Sequence, residues 1–250
     1  MQLQNKHALI TGAASGFGRE MAREFVKEGA KVSVVDLNGP GAKAVADELG
    51  NSAMAMECDV SKADDINTAV TTTIEEFGHI DIVVNNAGWS HPNQPLLDVN
   101  EETFRKVYDI NVLSIFHMTH AIVPHWRSEN IKGVMINVGS TGGIRPRPGL
   151  SWYNSSKGAV NTLTRSLAVD LAADRIRVCG LAPVMSATGL LETFMGMEDT
   201  PDNREKFLST IPLGRLCDTK DIANAAVFLS SDKADFITGV ILEVDGGRTI

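Results

Sequence analysis

The types and spacing of Tyr153 and Lys157 could move a proton. They are four residues apart, one helical turn, so both side chains face the same side of a helix, and Ser140 precedes the tyrosine by thirteen residues. A tyrosine with a pKa of about 10 stays protonated at neutral pH. The Lys157 ammonium favours the phenolate, and lowering the phenol pKa by about 3 requires roughly 4 kcal/mol of differential stabilisation.

Ser140 and Asn111 extend this pair to a candidate catalytic set. Ser140 follows the apolar run 133–138, which predicts a place at the end of a strand, where its hydroxyl could hold a substrate oxygen beside Tyr153. Asn111 lies between apolar neighbours in a predicted helix, and we expect it to bind a water that relays protons to Lys157. Because an alcohol must lose a proton as its hydride leaves, this set predicts a redox site.

A glycine-rich turn near the start of the chain predicts where a dinucleotide would bind. It joins the first predicted strand to the first predicted helix and contains Gly12, Ser15, Gly16, Phe17 and Gly18. Glycines allow the backbone to approach a pyrophosphate closely, and the N–H groups of the following helix would face that anion. A glycine trio before a helix also occurs as a packing turn, so the spacing alone leaves both interpretations open.

Asp36 favours the dinucleotide interpretation and selects one form of the cofactor. It ends the second predicted strand, eighteen residues after Gly18, where a carboxylate can accept hydrogen bonds from the adenosine ribose. The same charge repels a 2′-phosphate, and the following Leu37 and Asn38 offer no cation for one. We therefore predict NAD(H) rather than NADP(H), with Asp36 and Leu37 in the cofactor site.

Two further strand ends fit the same cofactor. Asp59 could meet the adenine amino group and Val60 the adenine ring, since both follow the third predicted strand. Asn86, Ala87 and Gly88 follow the fourth strand, and their small size lets the backbone lie against the adenosine ribose. Such a turn also occurs without a ligand, so this segment supports the site without defining it.

Short apolar runs alternate with longer amphipathic segments along the sequence. The alternation predicts an α/β fold: a doubly wound, Rossmann-like three-layer sandwich with a seven-stranded parallel sheet. We predict one domain over residues 1–250, with a substrate-loop insertion at about 184–212. The predicted strands cover residues 8–11, 31–36, 53–57, 82–85, 133–138, 177–181 and 240–244. The predicted helices cover residues 18–28, 41–49, 64–77, 101–127, 155–171 and 219–230.

Composition limits the expected partners and location. A net charge of −8 argues against a nucleic-acid or anionic-membrane surface. We find no secretory signal and no apolar stretch of membrane-spanning length, and the three separated cysteines are typical of reduced thiols, so we expect a cytoplasmic protein. His117, His120 and His125 share one helical region but lack acidic or cysteine companions, so we predict no metal site.

Taken together, these motifs resemble the short-chain dehydrogenase/reductase family in its compact single-domain branch. They span almost the whole chain and comprise residues 11–18, Asp36, Asp59, 85–88, Asn111, Ser140, Tyr153, Lys157, Pro183 and Thr188. The resemblance implies hydride transfer at a carbinol or carbonyl carbon, an Asn/Ser/Tyr/Lys tetrad, and a homotetramer built from the helices that contain Asn111 and Tyr153. It also implies that Pro183, Val184 and Thr188 border the nicotinamide, although Val184 replaces the glycine usual in the family.

Substrate contacts are expected from the loop ends. The candidate residues are Ser140, His91, Gly142, Trp152 and Phe194. Phe194 lies in an apolar segment that could cover the nicotinamide or pack against the protein. Arg145 and Arg147 could bind a substrate carboxylate or phosphate, although such arginines more often lie at a surface or interface.

The leading hypothesis is an NAD(H)-dependent oxidoreductase that interconverts a secondary alcohol (a polyol, sugar or hydroxy acid) and the ketone, with Tyr153 as general acid/base. A 3-oxoacyl thioester reductase is the enzymatic alternative, which Asp36 disfavours because that biosynthetic role usually uses NADPH. A dinucleotide-sensing binding protein is the non-enzymatic alternative, which the complete tetrad disfavours.

Overall fold

The apolar runs form the strands of a single parallel sheet. The computed structural model describes residues 1–186, 198 and 200–250. The strands are β1 His7–Thr11, β2 Lys31–Asp36, β3 Ala53–Glu57, β4 Ile82–Asn85, β5 Val134–Val138, β6 Arg177–Pro183 and β7 Ile241–Val244. Their order across the sheet is β3-β2-β1-β4-β5-β6-β7, and neighbouring strands pair in parallel. The predicted seven-stranded parallel sheet is confirmed.

Helices connect the strands and cover both faces of the sheet. They are α1 Gly16–Lys27, α2 Gly39–Leu49, α3 Ala63–Phe77, α4 Glu101–Tyr108, α5 Ser114–Ser128, α6 Ser151–Leu171, α7 Pro201–Leu208 and α8 Thr219–Ser230. The predicted helix 101–127 is wrong in one respect, because a π-helical turn at Asp109–Leu113 divides it. Helix α7 was not predicted; it lies within the proposed insertion and begins after Thr200, whose side chain accepts from the Asn203 N–H. None of the described helices is both long and apolar enough to cross a membrane.

Two apolar clusters fill the space between the sheet and its helices. Because side chains alternate along a strand, Ala8 and Ile10 of β1 enter one cluster and Leu9 enters the other. Helices α1, α2 and α8 contribute to the first cluster, and α3, α5 and α6 to the second. This arrangement is the predicted three-layer sandwich, and it fixes the strand ends that carry the site.

The strand order reverses direction beside β1, which pairs with β2 on one side and with β4 on the other. In open α/β sheets, ligands bind outside the carboxyl ends of the strands at such a point. The glycine turn follows β1, the small residues 86–88 follow β4, and Ser140 follows β5. The topology therefore brings segments that are far apart in sequence to one edge.

Candidate active site

A cleft of about 500 Å³ lies at this edge, within the usual size of a small-molecule site. Its walls bring together most of the predicted site residues: Gly12, Ser15, Gly16, Phe17, Asp36, Leu37, Asp59, Val60, Asn86, Ala87, Gly88, Ser140, Gly142, Tyr153, Lys157, Pro183 and Val184. Thr188 and Phe194 lie outside the described residues. Gly18, Asn111, His91 and Trp152 do not line the cleft walls.

The glycine turn has a conformation that requires its glycines. Gly12 and Gly16 have positive φ angles of 64° and 54°, which side chains with a Cβ rarely adopt. A Cβ at Gly18 would overlap the carbonyl oxygen of Gly12, so Gly18 allows α1 to pack closely on the turn. Ser15 precedes α1 but makes no side-chain capping bond, which leaves the N–H groups of the first helical turn available to an anion.

Hydrogen bonds of Asn86 connect the end of β4 to the glycine turn. Its side-chain amide donates to the carbonyl oxygens of Thr11 and Gly12, both at 2.9 Å. In return, the Thr11 hydroxyl accepts from the backbone N–H groups of Asn86 and Ala87, both at 3.1 Å. These bonds hold two walls of the cleft in a fixed relation.

Asp36 is held in the cleft wall by backbone donors. Its two carboxylate oxygens accept from the N–H groups of Ala14 and Asn38, each at 2.9 Å. The carboxylate therefore has a defined position, and each oxygen retains acceptor capacity for a ligand hydroxyl. Leu37 beside it is 67% exposed, which leaves an apolar surface at the same end of the cleft.

Asp59 carries a charge that its neighbours stabilise. Its carboxylate accepts from the Ser61 hydroxyl at 2.6 Å and lies 3.6 Å from the Lys62 ammonium. The hydrogen bond from Ser61 is the main reason that the pKa of Asp59 is lowered. A carboxylate at this position can accept a hydrogen bond from an amino group.

Tyr153, Ser140 and Lys157 meet at the other end of the cleft. Tyr153 and Lys157 are both buried on α6, which begins four residues earlier than predicted and so includes the tyrosine. The Ser140 side chain hydrogen bonds to the Tyr153 side chain. The Lys157 ammonium donates to the Val138 carbonyl at 2.9 Å and lies 5.9 Å from the centre of the Tyr153 ring.

Asn111 approaches Lys157 but does not line the cleft. It lies in the π-helical turn and is buried, its side chain bonding to both the N–H and the carbonyl of Trp89, each at 2.9 Å. It also donates to the Ser156 hydroxyl at 3.0 Å. A Cβ added at Gly88 would lie 3.3 Å from the Lys157 ammonium and 3.4 Å from the Asn111 side-chain oxygen. Asn111 and Lys157 thus approach each other across Gly88.

Burial is the main cause of the pKa shifts of Tyr153 and Lys157. It raises the pKa of Tyr153 to about 12, against the opposing effects of the Ser140 hydrogen bond and the Arg147 charge. Burial also lowers the pKa of Lys157 to about 8. The groups that act to lower the tyrosine pKa are Ser140 and Arg147, and the predicted effect of Lys157 on the phenol stays a prediction.

Two predicted substrate residues pack elsewhere. The Trp152 ring stands edge-on to Phe104, with centroids 5.4 Å apart. His91 is buried, with Nδ1 2.7 Å from the Pro92 carbonyl oxygen. The His91 Nε2 and Trp152 Nε1 atoms are buried without a hydrogen-bond partner in the described structure, and a substrate role for either residue stays a prediction.

Further residues line the cleft that the sequence did not assign to it. They include Trp89, Arg147, Leu150, Asn154, Met185 and Ser186. Asn154 is buried directly after Tyr153, and its amide donates to the Arg147 carbonyl at 2.8 Å. Its position next to the tyrosine was the available sequence signal.

One cluster of possible metal ligands occurs among the described residues. His7, His79 and Asp81 lie close enough together to share an ion, at the amino-terminal edge of the sheet rather than in the cleft. His79 Nε2 lies 3.1 Å from the Asp81 carboxylate, and His7 Nδ1 lies 3.1 Å from the His79 carbonyl oxygen. The three residues thus contact one another, and the cluster has no part in the cleft.

Comparison with known proteins places this cleft in a family. Residues 12–249 match the family model described as enoyl-(acyl carrier protein) reductase. The 4-formylbenzenesulfonate dehydrogenase of Comamonas testosteroni is 47% identical over 100% of both chains. The 7α-hydroxysteroid dehydrogenase of Escherichia coli K12 is 37% identical over 99% of this chain and 95% of its own.

A solved structure has the same fold along its whole length. The 3-ketoacyl-(acyl-carrier-protein) reductase of Brucella melitensis, complexed with NADH, is 46% identical and superposes with a TM-score of 0.94, covering 99% of this chain and 100% of that one. The relatives are named dehydrogenases and reductases, which confirms the predicted oxidoreductase class. With a family match over nearly all of its residues, the chain belongs to the short-chain dehydrogenase/reductase family.

Proposed function

We propose that the chain is an NAD(H)-dependent oxidoreductase that interconverts a secondary alcohol and the ketone by hydride transfer, with Tyr153 as general acid/base. The observation that carries the proposal is the position of Ser140 beside the buried Tyr153 and Lys157 in the cleft that also contains the glycine turn. A polyol, a sugar or a hydroxy acid is the proposed substrate class. Asn111 completes the tetrad as a positioning residue, through its contacts with Trp89 and Ser156.

The cofactor half of the cleft fits NAD(H). Gly12, Ser15, Gly16 and Phe17 would hold the pyrophosphate at the start of α1, where N–H groups are available. The other assigned residues in the cleft are Asp36 and Leu37 for the ribose, Asp59 and Val60 for adenine, Asn86, Ala87 and Gly88 along the adenosine, and Pro183 and Val184 near the nicotinamide. Thr188, proposed for the nicotinamide from the family resemblance, lies outside the described residues. Gly18 acts indirectly, by letting α1 pack against the turn. When bound, NAD(H) supplies or accepts the hydride.

The absence of a cation beside Asp36 supports NAD(H) over NADP(H). The charged residues of the described cleft wall at that end are Asp36 and Asp59, whereas its cations, Arg147 and Lys157, lie at the catalytic end. A 2′-phosphate would therefore meet negative charge. A relative that is 46% identical has been solved as a complex with NADH, which supports the same choice.

The protonation states suit a proton transfer in either direction. With a pKa of about 12, Tyr153 is a neutral phenol at neutral pH and can donate its proton to a carbonyl oxygen held by Ser140. In the reverse direction, the phenol can take the alcohol proton only if its own proton passes to another group. Lys157, whose pKa is lowered to about 8, can be an uncharged amine near neutral pH and accept that proton.

The test follows NADH absorbance across a panel of polyols, sugars, hydroxy acids and acyl thioesters with the wild-type protein and with Tyr153→Phe. We expect turnover of at least one alcohol class, reduced by about 10²- to 10⁴-fold in the variant, the usual contribution of a general acid/base. Wild-type turnover that survives in the variant would remove Tyr153 from the mechanism. Tight dinucleotide binding without turnover across the panel would instead favour the dinucleotide-sensing protein.

A 3-oxoacyl thioester reductase is the second candidate. It is favoured by the Brucella relative, which is named for that activity and is bound to NADH, so an aspartate at position 36 does not exclude this role. Acetoacetyl-coenzyme A and acetoacetyl-carrier protein are the discriminating substrates in the panel. A kcat/KM for either that exceeds the values for the free alcohols and ketones would make this the better assignment.

We also propose a cytoplasmic homotetramer. Its cytoplasmic location is supported by the unpaired, buried thiols of all three cysteines. Apolar side chains on the outer faces of α5 and α6 support the assembly, since Phe116 is 52% exposed and Val169 is 76% exposed in the single chain. Light scattering on the purified protein tests the mass, and Phe116→Glu is expected to lower it.

A further inference from the structure

Arg147 places a guanidinium in the cleft next to the catalytic tyrosine. It lines the cleft together with Tyr153, and its charge helps to lower the tyrosine pKa. Its guanidinium carbon lies 4.6 Å from the centre of the Phe207 ring, which covers one face. Arg147 is half-buried, so its charge is partly removed from water, and this burial lowers its pKa.

No acidic side chain in the described part of the chain forms an ion pair with Arg147. The other cleft-lining acids, Asp36 and Asp59, belong to the cofactor half. Charges are rarely removed from water without a partner, because their desolvation is costly. A partly buried cation in a ligand cleft without such a partner is suited to an anionic ligand.

A second guanidinium acts on Arg147 through its charge. Arg248 lowers the pKa of Arg147 through its positive charge, and its own pKa is lowered by burial and by Arg145. Its Nη1 atom is buried without a hydrogen-bond partner in the structure. Arg145 holds the backbone at this position, because its guanidinium donates to the Arg248 carbonyl oxygen at 2.7 Å.

One acidic group that acts on Arg248, Asp245, already accepts hydrogen bonds from the protein. Asp245 acts on the Arg248 charge, but its carboxylate accepts from the N–H groups of Gly247 at 2.8 Å and Thr249 at 2.7 Å. It also accepts from the Thr249 hydroxyl at 2.7 Å. Its oxygens therefore order the turn after β7, and the arginines keep an excess of positive charge.

We infer that Arg147 forms an oxyanion-binding subsite, which selects substrates that carry a carboxylate or a sulfonate away from the reacting carbon. The inference rests on the proposed function, because the subsite adjoins Tyr153 in the same cleft. A planar guanidinium binds two oxygens of such a group with parallel N–H donors. The charge of Arg248 adds to the positive potential at Arg147.

The test compares acids with their methyl esters, because esterification removes the charge and changes little else. The pairs are 4-acetylbenzoate and 3-oxobutanoate with their methyl esters, and 4-acetylbenzenesulfonate represents the sulfonates. We expect the wild-type kcat/KM to favour each acid, and Arg147→Ala to lower the acid-to-ester ratio by about 10- to 100-fold. Lys233→Ala is the matched control; it removes one exposed positive charge before β7, at the opposite edge of the sheet, and should leave the ratio unchanged.

Direct binding supplies a second readout that needs no turnover. Benzoate and benzenesulfonate are titrated calorimetrically into the protein in the presence of NADH, with the same variants. Binding by the wild type that is weakened about 10-fold or more in Arg147→Ala supports the subsite. No anion binding by the wild type, or ratios and affinities that fall equally in Lys233→Ala, would overturn it. Tyr153→Phe separates the two proposals, since it should abolish turnover and leave anion binding intact.

Discussion

The two halves of the cleft differ in how their polar groups are satisfied. In the cofactor half, the carboxylate of Asp36 accepts two backbone N–H groups, and Asn86 bonds to both Thr11 and Gly12. In the substrate half, the buried side-chain oxygen of Asn154 has no hydrogen-bond partner among the described residues. The protein itself satisfies these polar groups in the cofactor half, whereas a polar atom of the substrate half needs a ligand to supply its partner.

We therefore expect the two halves of the cleft to contribute differently to stability and to activity. A polar group that the protein satisfies contributes to folding, but a buried group without a partner costs about 1–3 kcal/mol until something binds it. Substitutions in the cofactor half should therefore destabilise the fold together with the site. Substitutions of the unsatisfied or charged groups in the substrate half should reduce activity without reducing stability.

Lys157→Met tests the substrate half and has the largest expected effect. We expect kcat/KM to fall by about 10²- to 10⁴-fold in both directions, because the catalytic pair loses its exchangeable proton. The free energy of unfolding at neutral pH should stay equal or rise, since a buried ammonium is replaced by an uncharged chain of similar length. The measurements are steady-state kinetics and urea unfolding. A large loss of stability that accompanies the loss of activity would contradict the separation.

Asp36→Asn tests whether the charge of the cofactor half selects the cofactor. The amide keeps the shape but removes the negative charge, so the ratio of kcat/KM for NADH to that for NADPH should fall by about 10- to 100-fold. Asp47→Asn is the control, because Asp47 is an exposed acid of α2 paired with Lys43. An unchanged ratio in Asp36→Asn would mean that another feature excludes the 2′-phosphate.

The sequence predicts the sheet and the cofactor half of the cleft better than it predicts the substrate half. The sheet and the cofactor wall follow from local signals: apolar runs make strands, and a glycine turn leads into a helix, so Gly12, Gly16 and Asp36 reach the cleft as predicted. The sequence leaves Arg147 open between an anion-binding role and a surface role, because its surroundings come from distant segments, including Phe207. No local pattern encodes that packing.

The ionisation of Tyr153 shows the same limit. Its spacing from Lys157 is visible in the sequence, but the depth at which α6 buries both groups is not. Burial raises the pKa of the phenol and lowers that of the ammonium, so it opposes the effect that the spacing suggests. The tertiary environment decided the direction of the shift.

Gly18→Ala tests the cofactor half through stability. The new Cβ would overlap the Gly12 carbonyl oxygen, a backbone atom that cannot move aside without distorting the turn, so we expect a loss of about 1–3 kcal/mol of unfolding free energy. Gly158→Ala is the matched control: it is also a helical glycine, and its Cβ would meet only the Gly143 carbonyl oxygen at 3.8 Å. That control should be neutral or stabilising, because alanine favours helix. Equal melting temperatures for Gly18→Ala and Gly158→Ala would contradict the close packing of α1 against the glycine turn.

The smallest expected effect is the pH dependence of the two reaction directions. Because Lys157 has a lowered pKa of about 8, the pair with Tyr153 loses its first proton near that pH. Reduction needs the fully protonated pair, so its kcat/KM should be constant below this pH and fall about tenfold per unit above it. Oxidation needs the pair with one proton removed, so its kcat/KM should rise up to the same pH and then level off.

The same titration links activity to folding. The folded-state pKa of Lys157 lies below its ordinary 10.5, so between about 8 and 10.5 the unfolded chain binds more protons and wild-type stability rises with pH. Rate profiles from about pH 6 to about pH 10, with urea unfolding at each pH, measure both effects. In Lys157→Met, the change of rate near pH 8 and the rise in stability between about pH 8 and 10.5 should both be absent. If the change of rate persists in the variant, another group titrates in the substrate half, and the assignment of the exchangeable proton to Lys157 is wrong.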